Sequence, residues 1–243
     1  MPAMFQLSLD TPKFMLYGMF ILLSCQGKST DNTLHAETPR IPDTTSHIDR
    51  IRQINYTKAI SYINRHAETG DIITRAGNDF TSHSLRSLNQ RNKQFSHCGL
   101  IRIENGSPVV YHILGGEWNP DQKILRQTVA VFCNVADNDA IGLFRVNAPA
   151  ATKTKYLDRL LAFQRDSITF DMAFDLKSDH QLYCSELVAK SIEQGTGFEF
   201  LFNRSTLGGR TFVGVDDIFL ASFVHPVYQI ALNDSIPLYK SKK

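Results

Sequence analysis

Asn105-Gly106 separates two apolar runs, Cys98 to Ile103 and Val109 to Leu114, and no other short stretch constrains the chain as tightly. A two-residue hairpin loop wants positive φ at both positions, which Asn-Gly supplies. With that loop, Glu104 pairs with Ser107 and the register of the whole hairpin follows. His97 then lies opposite Leu114. His112 falls on the same face as His97, one diagonal away, about 7–8 Å between Cβ atoms and within reach of two imidazole rings. A three-residue loop would reverse the parity and separate them. Cys98, next to His97, points to the opposite face and cannot use it as a base.

Further strands are expected at "GDIIT", at Thr128 to Cys133 and at Ile141 to Val146, where β-branched and aromatic residues concentrate. Ile48, Ile51, Ile54, Ile60 and Ile63 recur at helical spacing, giving a helix from Ser46 to about Ala67. Residues 150–165 form a second amphipathic helix. A third runs from Cys184 to about Gln194 and is closed by Gly195. Residues 78–95 are polar and read as a loop with one helical turn. The stretch "TFVGVDDIFLAS" suggests a short strand and another turn. These elements make one α+β domain over residues 46–243. An apolar fraction of 42% in 243 residues is enough for a single sizeable core.

The first 45 residues read differently. Phe14 to Leu23 is an apolar run too short to span a bilayer and of the right length for a signal peptide. It ends in Leu22-Leu23-Ser24-Cys25, similar to a bacterial lipobox, so residues 1–24 are expected to be removed and Cys25 to carry lipid. An ordinary secretory signal or a short uncleaved anchor are the alternatives. Residues 25–45 are the lipidated cysteine and a polar, proline-containing tether. The expected location is the cell envelope, at the outer membrane if the cell is Gram-negative, because Gln26 is not the Asp that retains such proteins at the inner one. A formal charge of +2 with no basic stripe excludes nucleic acid as a partner.

Export leaves Cys98, Cys133 and Cys184, an odd number and too few for a disulfide framework. A free cysteine in an oxidising compartment points to a reactive role. Cys184 opens a helix, where unpaired N–H groups and the positive dipole end favour thiolate. It also shares a face with Leu187, Val188 and Ile192, so a small core residue is the competing reading. Cys133, inside "AVFCNV", reads as core. A zinc site built on His97, His112 and Cys184 lacks the usual paired-cysteine spacing, so neither metal nor cofactor is expected.

Three stretches, "GDIITRAGNDFTSHSL", "FSHCGLIRIENGSPVVYHI" and "ITFDMAFDLKSDHQLYCSELVAKSI", together resemble the permuted papain-like amidases of the YiiX/YaeF type, a branch of the NlpC-like cysteine hydrolases. The resemblance implies a permuted papain-like fold, with an antiparallel sheet packed against helices. It implies Cys184 as nucleophile, His97 as base and His112 as orienter, where many members carry Glu; a second histidine is similar to the lecithin-retinol-acyltransferase-like proteins. Tyr183 and Ser185, flanking the nucleophile, are expected at the substrate site. The activity implied is cleavage of an amide, in a cell-wall peptide for an exported member. A lipid thioesterase or acyltransferase, or a non-catalytic peptide- or lipid-binding lipoprotein, are the alternatives.

Overall fold

The computed structural model describes residues 44–115 and 119–234; the expected signal segment, Cys25 and most of the expected tether lie outside these. In chain order the elements are α1 (Thr44–His66), β1 (Ile72–Gly77), α2 (Phe80–Leu88), β2 (His97–Glu104), β3 (Ser107–His112), β4 (Leu125–Thr128), α3 (Val129–Phe132) and β5 (Asn138–Val146). They continue with α4 (Ala150–Arg165), β6 (Thr169–Phe170), β7 (Gln181–Leu182), α5 (Cys184–Thr196), β8 (Ser205–Leu207), β9 (Arg210–Phe212), α6 (Val215–Phe219) and β10 (Val224–Ala231).

Six strands form one antiparallel sheet in the order β10-β5-β1-β2-β3-β4. Apolar side chains fill both faces by strict alternation. Ile72, Leu100 and Tyr111 point to the face covered by α4, α5 and α6, with Tyr156, Leu160, Leu187, Val188 and Ile218. Their chain neighbours Ile73, Ile101 and Val110 point to the face covered by α1 and α3, with Ala59, Ile63 and Phe132. Period 2 in the strands thus builds two cores on one sheet. Each fully buried aliphatic side chain stabilises by about 1.5–3 kcal/mol relative to exposure.

The structure departs from the expected elements in five places. Thr128 to Cys133 is not one strand: β4 ends at Thr128, whose hydroxyl accepts the Val131 N–H and caps α3. A good N-cap overrides the β-propensity of Val-Ala-Val-Phe. Asp79 likewise caps α2 through the Ser82 N–H, extending the expected single turn to nine residues. On α1, Ile63 is buried as expected, but Ile48 and Ile54 face solvent, and Asn55 and Ala59 are buried instead. Polar anchors set that rotation: the Asn55 amide donates to Leu232 and Asp234 carbonyls, while Arg52 pairs with Asp139.

The third helix passes through Gly195 to Thr196, and Gly197, at φ 76°, is its left-handed cap. Gly195 serves a different purpose. A Cβ there would collide with the backbone of Tyr156, so this glycine lets α4 and α5 approach closely. Finally β10, which is not among the strands expected from the sequence, adds the edge strand beside β5.

Candidate functional site

The hairpin has the two-residue register. Asn105 and Gly106 take φ of 49° and 78°, and Glu104 pairs with Ser107. His97 and His112 therefore share a face. His97 Nε2 lies 2.8 Å from His112 Nδ1, and the buried rings meet edge to face beside Phe132. Gly99 lies between them on β2. A Cβ at Gly99 would come 2.7 Å from the Tyr111 carbonyl and 3.0 Å from His112 Cβ, so only glycine leaves His112 its place.

His112 continues outward: its Nε2 lies 3.0 Å from Oε1 of Gln127 on β4. Nothing in the sequence singled out Gln127. Burial pushes both rings below the ordinary histidine pKa, His112 furthest because the His97 charge adds to it. The Arg75 guanidinium, stacked over Phe132 and held by Asn138, works in the same direction. Neutral rings carry one proton each, so the order of donors along the chain is determined. The Gln127 carbonyl oxygen can only accept, so His112 Nε2–H donates to it. His112 Nδ1 then accepts from His97 Nε2–H. His97 Nδ1 is left with a bare lone pair, the form a general base requires.

Cys184 is the first residue of α5, buried at 7% exposure, and its sulfur lies against His97. Several contacts hold the helix end in place. The Tyr183 N–H donates to Glu186 Oε2 at 3.3 Å, closing the first turn. The Val213 N–H donates to the Tyr183 hydroxyl, and the Ser185 hydroxyl donates to the Val213 carbonyl, each at 2.8 Å. Tyr183 and Ser185, expected at the substrate site, are buried and spend their hydroxyls on this backbone. Their geometry locks the helix end to the 213 segment.

Alternation sends Cys98 to the face opposite His97, as expected, but that face carries α5. The start of β2 thus presents both the His97 ring and the Cys98 thiol to Cys184. Hydrogen bonding from the Cys98 thiol holds Cys184 well below the ordinary cysteine range; burial opposes it, and His97 adds to it. Burial first, then the hydrogen bond to Cys184 and its charge, pushes Cys98 well up. The helix end breaks the symmetry between the thiols in favour of thiolate at Cys184. Cys133 lies in the core on the other face, and burial pushes its thiol up to about 12. In folded protein at pH 6, iodoacetamide should therefore label Cys184 before Cys98 or Cys133, as read by peptide mass. Faster labelling of either buried thiol would remove Cys184 from the role of nucleophile.

A cavity of about 740 Å³ flanks the far side of α5, lined by Leu176, Glu186, Lys190, Phe200 and Arg204 among others. Neither Cys184 nor His97 lines it, so the chemistry and this cavity lie on different sides of the helix.

No family model and no curated protein sequence matches the chain. Among solved structures, it is similar to the crystal structure of the metalloprotein yiiX from Escherichia coli O157:H7, a DUF1105 protein. The sequences are 20% identical, with a TM-score of 0.52, over 66% of this chain and 96% of that one. The fold is YiiX-like. At that identity the likeness speaks to the fold alone, and the YiiX-like arrangement is the α+β sheet-and-helix architecture described above.

Proposed function

We propose that this protein is a cysteine hydrolase that cleaves an amide bond through a thioester intermediate. The observation that carries the reading is the continuous array from Cys184, at the end of α5, through His97 and His112 to Gln127. The histidine strand precedes the nucleophile helix in the chain, the reverse of ordinary papain-like enzymes, and supports a permuted papain-like arrangement.

The chemistry follows from the residues. The Cys184 proton passes to His97 Nδ1, before or during attack of the sulfur on the carbonyl carbon. N–H groups of the first turn of α5, which have no partner within the helix, stabilise the oxyanion. His97 then donates the proton to the leaving amine, forming the acyl-thioester, and next activates water to release the acid. Imidazolium at His97 is shared with His112 through the 2.8 Å contact, and the Gln127 carbonyl holds the far end.

The structural neighbour is described as a metalloprotein. Among the described residues of this chain, no group of three His, Cys, Asp or Glu could hold a metal ion. The facing nitrogens of His97 and His112, 2.8 Å apart, are also closer than two ligands of one tetrahedral zinc, which lie about 3.3 Å apart for Zn–N bonds of about 2.0–2.1 Å. The donor set does not fit a metal, and the mechanism uses none.

Mass spectrometry of Cys184 after incubation with murein stem peptides, and separately with acyl lipids, tests the substrate class. An acyl group from a peptide on Cys184 is expected. A fatty acyl group instead would make the protein a thioesterase or acyltransferase, and no adduct from either would overturn the hydrolase reading.

The lipobox-like Leu-Leu-Ser-Cys stretch supports a membrane-tethered location, where cell-wall peptides are at hand. Among the described residues no helix is long and apolar enough to cross a membrane. Cys25→Ala should release the protein from the membrane fraction. Retention there unchanged would mean attachment by other means.

A further inference from the structure

We propose that Cys98 and Cys184 form a reversible disulfide when the protein meets hydrogen peroxide, switching the nucleophile off and shielding it from irreversible oxidation. Three features carry this. The two side chains belong to one buried cluster where β2 packs on α5, and they lie near enough for each thiol to shift the titration of the other. Cys184 retains 7% exposure, whereas Cys98 and Cys133 have none, so a small oxidant reaches Cys184 first. Cys133 is sequestered on the opposite face of the sheet, which leaves Cys98 as the thiol placed to resolve an oxidised Cys184. In the hydrolytic steps derived above the Cys98 sulfur forms and breaks no covalent bond.

The steps balance. Thiolate at Cys184 attacks one oxygen of hydrogen peroxide; the O–O bond breaks, hydroxide leaves and is protonated to water, and Cys184 becomes a sulfenic acid. The Cys98 sulfur then attacks the Cys184 sulfur, losing its proton, and a second water leaves. Cys184 has lost two electrons in the first step. The bridge shares that oxidation between both sulfurs, and peroxide is reduced to two waters. Two equivalents of an added thiol return both cysteines to the reduced form by exchange. In the bridged form no thiolate remains to attack a carbonyl. Without a resolving thiol, further peroxide drives the sulfenic acid to sulfinic acid, which thiols do not reverse.

The proposal concerns regulation of the site read above as a hydrolase, and rests on that reading only for what is switched off. Its test uses mass and thiol labelling, so it stands or falls apart from turnover. Folded full-length protein is exposed to hydrogen peroxide, unfolded in iodoacetamide and mapped without reduction. The expected product is a cross-linked peptide pair joining Cys98 to Cys184, lighter by two hydrogens, with Cys133 alkylated. Iodoacetamide labelling of Cys184 in the folded protein should be lost with peroxide and return with dithiothreitol. In Cys98→Ser, Cys184 should instead gain two oxygens, and dithiothreitol should fail to restore its labelling. Wild-type protein carrying sulfinic Cys184 beside a still alkylatable Cys98, or a cross-link to Cys133, would overturn the proposal. The wild-type map decides this even if Cys98→Ser fails to fold.

Discussion

Cys184→Ala and His97→Ala are each expected to reduce kcat/KM by about 10⁴- to 10⁶-fold on whichever substrate acylates Cys184. That corresponds to about 5.5–8 kcal/mol of lost transition-state stabilisation. The two losses should not add, because nucleophile and base act as a unit: the double variant should be close to either single one. The structure gives the reason. The sulfur sits at the end of α5 against the ring, so removing either partner leaves the other without a task. Single-turnover kinetics with protein confirmed as folded by circular dichroism would make the measurement. A Cys184→Ala variant within tenfold of wild type would end the nucleophile assignment, and with it the thioester intermediate.

The same array makes a sharper statement about Gln127. Because its carbonyl oxygen accepts from His112, it selects the tautomer of His112 and, through it, that of His97. Gln127→Leu removes the selection and should lower kcat about 10- to 100-fold, the range seen when a metal-ligating histidine loses its outer hydrogen-bond partner. Gln127→Glu keeps an acceptor at the same place and should preserve activity. Its negative charge raises the pKa of the adjacent rings, so the acid limb of the pH–rate profile should move up. In wild type that limb should lie below the ordinary histidine value of about 6.5, since burial pushes His97 down and keeps the base unprotonated into mildly acid solution.

Variants at His112 separate orientation from proton transfer. His112→Ala should leave measurable activity, because His97 Nδ1 can still take a proton. His112→Glu, a carboxylate beside His97 Nε2, should retain or raise activity with an upward shift of the limb, since it stabilises imidazolium better than a neutral ring. A pH–rate profile of Gln127→Leu indistinguishable from wild type in height and position would take Gln127 out of the site.

Much of this arrangement is legible locally. Asn105-Gly106 dictates two left-handed residues, and with period 2 that is enough to bring His97 and His112 to one face before any packing is considered. Cys184 announces itself by standing where a polar loop gives way to an amphipathic helix. Residues 150–165 have the apolar spacing of a helix and form one, α4, over that range. In each case the signal and its consequence lie within one turn or one hairpin.

What tertiary structure decided are the relations between elements far apart in sequence. Gln127 meets His112 only through the register of β4 on β3, and the connection between them, though marked by Gly115-Gly116 and Asn119-Pro120, is too long for a turn type to set that register. Cys98 looked like a bystander because alternation told which way it pointed, but not that α5 would cover that face. Tyr183 and Ser185 flank Cys184 in sequence, yet their hydroxyls are consumed by Val213, about thirty residues on, as backbone burial demands of polar groups. Gly195 looked like a helix cap until the approach of Tyr156 gave it another purpose. Local chemistry determines conformation and register over a few residues, because its hydrogen bonds close within them. Which buried side chains meet depends on how whole faces stack, and no short stretch of sequence carries that information.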